Sequence, residues 1–195
     1  ILSGCATDPQ KKENETFADE NKFSYTEKQD GTIRIDGYRG TKSNELVIPS
    51  AIGGKTVSEI GSMAFADAFG EDDATEKITI PATVTEIGDH AFLNNSGFKQ
   101  IVFESGSRLE RIGYSAFFGC SGITSIALPS NVKVIGSMAF ADCSSLSGTF
   151  TLPTAMTDYG ASAFVGCDNL TGFALAASNP HYTVLNGVLY DADNT

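Results

Sequence analysis

Cys120, Cys143 and Cys167 are the residues whose type first invites chemistry, and their spacing of 23 and 24 residues argues against it. Zinc needs ligands that converge tetrahedrally. A constant interval instead puts one residue type at one equivalent site in consecutive repeats, with side chains parallel rather than convergent. Ala68 and Asn95 fill the same site earlier in the chain. The expectation is a stack of buried thiols packing as small hydrophobes. Disulfides between neighbours are disfavoured, because the bond needs its two Cβ vectors turned toward each other.

The remaining chemical inventory is thin. His90 and His181 are the two imidazoles. His90 shares its slot with Met63, Ser115, Met138 and Ser162, which marks a tolerant surface or shallow position, and His181 lies in a turn beside Pro180. Neither has a serine or cysteine partner at a recognisable spacing, so no Ser-His-Asp or Cys-His site is expected. Glu71, Asp72, Asp73 and Glu76 form an acidic insertion. It lacks the alternating carboxylates of a calcium loop and reads as a solvated acidic loop. The glycines fall at the repeat period, not as a phosphate-cradling Gly-x-Gly-x-x-Gly. No catalytic residue, metal or cofactor is expected.

What must position these residues is a repeat. Ile-Gly-Ser-Met-Ala-Phe-Ala-Asp occurs at Ile60 to Asp67 and again at Ile135 to Asp142. The relaxed form Ile-Gly-x-x-Ala-Phe recurs at Ile87 to Phe92 and Ile112 to Phe117, and Tyr159 to Phe164 is a fifth copy with Tyr for Ile. The anchors Phe65, Phe92, Phe117, Phe140 and Phe164 are 27, 25, 23 and 24 residues apart. That period lies in the range of leucine-rich repeats. A short apolar-variable-apolar run precedes each copy: Leu46-Val47-Ile48-Pro49, Ile78-Thr79-Ile80-Pro81, Ile101-Val102-Phe103, Ile126-Ala127-Leu128-Pro129, Phe150-Thr151-Leu152-Pro153 and Phe173-Ala174-Leu175. Alternation of this kind is a strand with its outer two side chains inward, and proline ends it.

Each repeat therefore reads as one coil of a β-rich solenoid. Its short parallel strands stack into one sheet, and helical or 3-10 turns connect them. The glycine after each Ile serves either a special backbone geometry or a close approach that a Cβ would obstruct. A lone coil buries too little apolar surface to offset the entropy of ordering it, so the coils must stack.

Stacking turns the outward strand residues into rows. Val47, Thr79, Val102, Ala127, Thr151 and Ala174 form one, and Glu45, Lys77, Gln100, Ser125, Thr149 and Gly172 the other. They grade from charged to small and neutral along the stack. This is the candidate binding face, since stacked repeats commonly present such a surface to a partner, although it lacks aromatic anchors.

Residues 41–176 hold the repeats. Residues 22–40, with alternation either side of Asp30-Gly31, are read as an N-terminal capping hairpin. Residues 177–195, with Asn186-Gly187 between apolar runs, are read as a C-terminal hairpin or cap, either complete or the start of a continuation. Residues 1–21 are a polar tether, expected to be disordered. Leu2-Ser3-Gly4-Cys5 within it resembles the lipobox of bacterial lipoproteins, which implies lipid attachment at Cys5 and a precursor trimmed close to its processing site. The alternative is an ordinary tail with an unpaired cysteine. A net charge of −11 argues against nucleic acid as a partner. No apolar run is long enough to cross a membrane as a helix.

In combination these residues resemble the BspA-like leucine-rich repeat family of bacterial surface proteins. Gly37-Tyr38-Arg39-Gly40-Thr41 before the first strand resembles its entry repeat. Ile-Gly-x-x-Ala-Phe followed by Gly119-Cys120, Asp142-Cys143 or Gly166-Cys167 resembles its body, and Asn179-Pro180-His181-Tyr182 with Asn186-Gly187-Val188-Leu189-Tyr190 the segment after a repeat block. The departures are Glu104 and Ala176 where proline is usual, Tyr159 for Ile, and Asn95 and Ala68 at the Cys site. The resemblance implies a right-handed solenoid without catalytic residues, exported as an outer-membrane or cell-surface lipoprotein. It implies adhesion to a protein or glycan of a host or neighbouring cell; the alternative is a spacer or scaffold in the envelope.

Overall fold

The computed structural model describes residues 22–41 and 43–192. Its strands are β1 (Phe23–Glu27), β2 (Ile33–Tyr38), β3 (Glu45–Val47), β4 (Ala51–Ile52), β5 (Lys55–Ile60), β6 (Lys77–Ile80), β7 (Glu86–Ile87), β8 (Gln100–Phe103), β9 (Arg111–Ile112), β10 (Val134–Ile135), β11 (Gly148–Leu152), β12 (Asp158–Tyr159), β13 (Leu170–Leu175), β14 (Tyr182–Leu185) and β15 (Val188–Asp191). They wind into a β-solenoid of about six turns, the fold expected from the repeats. The coils run 45–69, 77–98, 100–123, 125–146 and 149–170, with a sixth opening at β13.

Two details differ from expectation. The strands do not form one sheet, because each coil contributes two extended stretches on different walls. The short extended stretches before the glycines, with β2, build the long wall β2-β5-β7-β9-β10-β12, in parallel register through Ile35, Ile60, Ile87, Ile112, Ile135 and Tyr159. The strands of the apolar-variable-apolar runs build a second wall, split into β3-β6-β8 and β11-β13. The other difference concerns the connecting turns. Ala64, Ala66 and Ala68 donate to the carbonyls of Gly61, Met63 and Phe65, each three residues back. Met63 and Asp67, at φ 59° and 53°, interrupt them in the left-handed region, so turns follow one another and no helix propagates.

Stacking fills the core with columns of identical residues. The rings of Phe65, Phe92, Phe117, Phe140 and Phe164 lie nearly parallel, with centroids 4.9, 5.1, 5.3 and 5.2 Å apart. The glycines after each Ile settle the question of their role, since none lies in the left-handed region. A Cβ on Gly88 would stand 2.7 Å from the Ser62 nitrogen, and one on Gly136 2.6 Å from the Gly113 backbone. Close approach of successive coils is the reason for glycine here.

Hairpins flank the stack. β1 and β2 pair antiparallel around Asp30-Gly31, and Phe23 and Tyr38 set their rings against Phe65, covering the first coil. The extra residues around Gly53-Gly54 form the small hairpin β4–β5. At the other end β14 and β15 pair around Asn186-Gly187, both at positive φ, as this turn type requires.

Candidate binding face

The second wall carries the candidate residues. Glu45, Lys77 and Gln100 stand in register across β3, β6 and β8, as do Val47, Thr79 and Val102. Thr149 pairs with Gly172 and Thr151 with Ala174 across β11 and β13. All of these are exposed or half-buried, so the outward rows read from the sequence exist.

The rows are not continuous. In coil four only a single bridge, Gln100 to Ser125, connects to the preceding coil. The stretch Ile126-Ala127-Leu128 forms no strand, and no backbone hydrogen bond joins it to either neighbouring coil. Two shallow cavities open between coils three and four. One of about 270 Å³ is bordered by Val102, Phe103, Ile126 and Ala127. The other, about 330 Å³, is bordered by Glu104, Ser107, Leu128 and Asn131. The face is thus two paired patches separated by an open seam, with Ser125 and Ala127 at the seam.

Charge at the N-terminal patch is largely matched internally. Lys77 Nζ lies 2.8 Å from Glu45 Oε1, and the Thr79 hydroxyl donates to the same oxygen at 3.0 Å. These bonds hold the Glu45 carboxyl below its usual range. Lys99 pairs with Glu76 at 2.6 Å beside them. What remains for a partner is a flat surface of threonine, valine, glutamine and alanine with a zwitterionic edge.

A second outward row escaped the sequence reading. Arg34, Glu59, Glu86, Arg111, Val134 and Asp158 lie in register on the long wall. The signal was available, since each immediately precedes an inward Ile or Tyr. Ion pairs tie this row and its flank together: Lys28 to Glu59 at 3.0 Å, Arg111 to Glu86 at 3.1 Å and Lys133 to Glu110 at 2.9 Å. Pairs so exposed contribute little stability each, and they leave few free charges for a ligand.

The thiols do more than pack. Cys120, Cys143 and Cys167 are free and buried, and each donates from Sγ to the phenylalanine carbonyl of the preceding coil. The acceptors are Phe92 O at 3.0 Å, Phe117 O at 3.2 Å and Phe140 O at 3.0 Å. Asn95 does the same more fully, donating to Phe65 O and Phe92 O and accepting from Phe69 N–H. From the second coil onward the site therefore holds a small donor as well as a small volume, while Ala68 fills it in the first. Burial pushes the Cys120 thiol up to about 12, which keeps it protonated and unreactive.

His90 and His181 are not brought together. The His90 slot is more demanding than its variability implied: Met63, His90, Ser115, Met138 and Ser162 all take positive φ there. The His90 ring meets Tyr114 edge-on at 5.1 Å. His181 is exposed and donates its backbone N–H to Asn179 Oδ1. Among the described residues no group of three or more His, Cys, Asp or Glu is placed to hold a metal, and no helix is long and apolar enough to cross a membrane. Cys5 and the tether lie outside the described residues.

Residues 65–182 match the family described as BspA type leucine rich repeat region, in six copies. The chain belongs to this family. It is similar to the T. pallidum leucine rich repeat protein, at 30% identity and a TM-score of 0.71, over 78% of this chain and 68% of that one. It is also similar to a leucine-rich repeat protein from Bacteroides ovatus, at 29% identity and a TM-score of 0.64, over 80% of this chain and 40% of that one. The pneumococcal vaccine antigen PcpA shares the fold at 24% identity and a TM-score of 0.68, over 89% of this chain and 53% of that one. No curated protein matches the sequence. The chain thus spans two thirds of the treponemal protein and about half or less of the other two.

Proposed function

We propose that this BspA-type chain is a non-enzymatic surface module that binds a protein or glycan of a host or neighbouring cell through its second wall. The observation that carries the reading is the outward double row on that wall, with its open seam at coil four. Outside the Glu45–Lys77–Thr79 cluster the outward rows of that face are uncharged, while the long wall is laced by ion pairs. Flat surfaces built from repeats suit macromolecules better than small substrates. The cavities here are shallow, and the His90 ring packs edge-on against Tyr114.

Export as a lipoprotein belongs to the same proposal and rests on Leu2-Ser3-Gly4-Cys5. A lipid on Cys5 would place the solenoid at a membrane surface with a polar tether between them. Mass spectrometry of the native protein tests this; an unmodified Cys5 contradicts it. Binding of the purified protein to panels of matrix proteins, mucins and glycans tests the ligand class, with saturable binding expected. Crosslinking on intact cells that recovers only envelope proteins would replace this reading with a scaffold.

A further inference from the structure

One aromatic side chain stands in a slot that otherwise holds a small or short polar residue. The position after each repeat glycine is Ser62, Asp89, Ser137 or Ala161, and in coil three it is Tyr114. Core packing does not call for an aromatic there, since the Tyr114 ring is 43% exposed and lies outside the phenylalanine column. Its neighbours hold it in place. The His90 ring of coil two meets it at a centroid distance of 5.1 Å and an angle of 75°, and its hydroxyl donates to Met138 Sδ of coil four at 3.5 Å.

Polar groups from the long wall gather beside this ring. The Tyr114 N–H donates to Asp89 Oδ1 at 2.8 Å. Arg111, three residues earlier on β9, sets Nη2 3.8 Å from that same oxygen and donates from Nε to Glu86 Oε1 at 3.1 Å. The three charged side chains fix one another while each stays more than two fifths exposed. These contacts engage one oxygen of each carboxylate, and the second oxygens and further guanidinium hydrogens retain hydrogen-bonding capacity. Because the charges are matched among themselves, an ion gains little here. An uncharged ligand rich in hydroxyls gains charge-assisted hydrogen bonds and brings no charge of its own.

We propose that Tyr114, with Asp89, Glu86 and Arg111, forms a binding site for one neutral pyranose unit. The apolar C–H face of the sugar stacks on the ring, its hydroxyls donate to the two carboxylates, and a sugar oxygen accepts from the guanidinium. The site sits at the edge of the long wall, so it stands independently of the recognition proposed for the second wall.

The test titrates the full chain with methyl β-galactoside and methyl β-glucoside and follows the Tyr114 ring protons by NMR. Saturable shifts with at least one sugar are expected, with a dissociation constant on the order of 10 mM for a single exposed unit. Tyr114→Ser, which installs the residue that two other coils carry in this slot, should abolish binding without loss of the fold. Tyr114→Trp keeps an aromatic face and should retain binding, read from saturation transfer to the sugar, whereas Tyr114→Leu should weaken it about tenfold or more. Asp89→Ser, matching the same two coils, should also weaken it, and Thr79→Lys on the second wall should leave it unchanged. The proposal is overturned if tenfold more of either sugar leaves the ring protons unmoved, or if the leucine or Asp89→Ser variant binds as well as the native chain. It is equally overturned if Thr79→Lys removes binding that Tyr114→Ser retains, which would place the sugar on the second wall.

Discussion

The two walls are built from the same coils, yet one is continuous and the other breaks. On the long wall every coil contributes a buried Ile or a half-buried Tyr followed by glycine, and the backbones approach until no Cβ fits between them. On the second wall the inward residues of coil four, Ile126 and Leu128, are only half-buried and their backbone pairs with neither neighbour. The coils are thus clamped together on one side and free to part on the other. Stacking is secured by the invariant wall, which leaves the second free to vary its residues and spacing.

The largest expected effect comes from the core that joins the walls. Phe140→Ala should lower the unfolding free energy by about 3 to 5 kcal/mol, whereas Leu128→Ala, at the loose seam, should cost about 1 to 2 kcal/mol for partial burial. Equal losses in urea titrations would erase the distinction between the walls. Alkaline titration probes the tight interior. The folded state holds the Cys120 proton up to about pH 12, while the unfolded thiol releases it near its ordinary value of 9.0. Over that interval the unfolded state binds fewer protons, so stability must fall as pH rises, and Cys120→Ala should flatten the decline.

Smaller effects sharpen the comparison. Gly136→Ala places a Cβ 2.6 Å from the Gly113 backbone and should cost about 1 to 3 kcal/mol through strain, read from the melting curve. Hydrogen exchange should show the amides of Gly88, Gly113 and Gly136, which donate to Ile60, Ile87 and Ile112, among the slowest, with Ala127 and Leu128 among the fastest. Lys99→Ala, removing an exposed ion pair with Glu76, should cost less than about 1 kcal/mol and lose even that at high salt.

The repeat was legible because its anchors are constrained by packing: Ile, Gly, Ala and Phe recur where a coil must touch the next. The apolar-variable-apolar alternation anticipated the outward rows on β3, β6 and β8. What could not be read was the seam, since Ile126-Ala127-Leu128-Pro129 matches the strand pattern as well as any copy, and pairing depends on distances set by both neighbouring coils. The left-handed turn positions were half visible. Asp67, His90, Asn94, Gly119, Asp142 and Gly166 are residue types that tolerate that geometry, whereas Met63, Ser115 and Met138 are not, and there tertiary hydrogen bonds override local preference. That the second extended stretch of each coil pairs into a wall of its own was missed, because two residues such as Glu86–Ile87 carry no alternation to set a pairing.

The claim that recognition lies on the second wall is tested most directly by two matched variants against whichever macromolecule the binding panel identifies. One variant carries Thr79→Lys, Val102→Lys and Thr151→Lys on the second wall. The other carries Glu59→Lys, Val134→Lys and Asp158→Lys on the long wall. Measured by surface plasmon resonance with both variants folded, the first should lose binding by at least about tenfold and the second should match the unmodified chain. Loss in the long-wall variant with retention in the other would contradict the account.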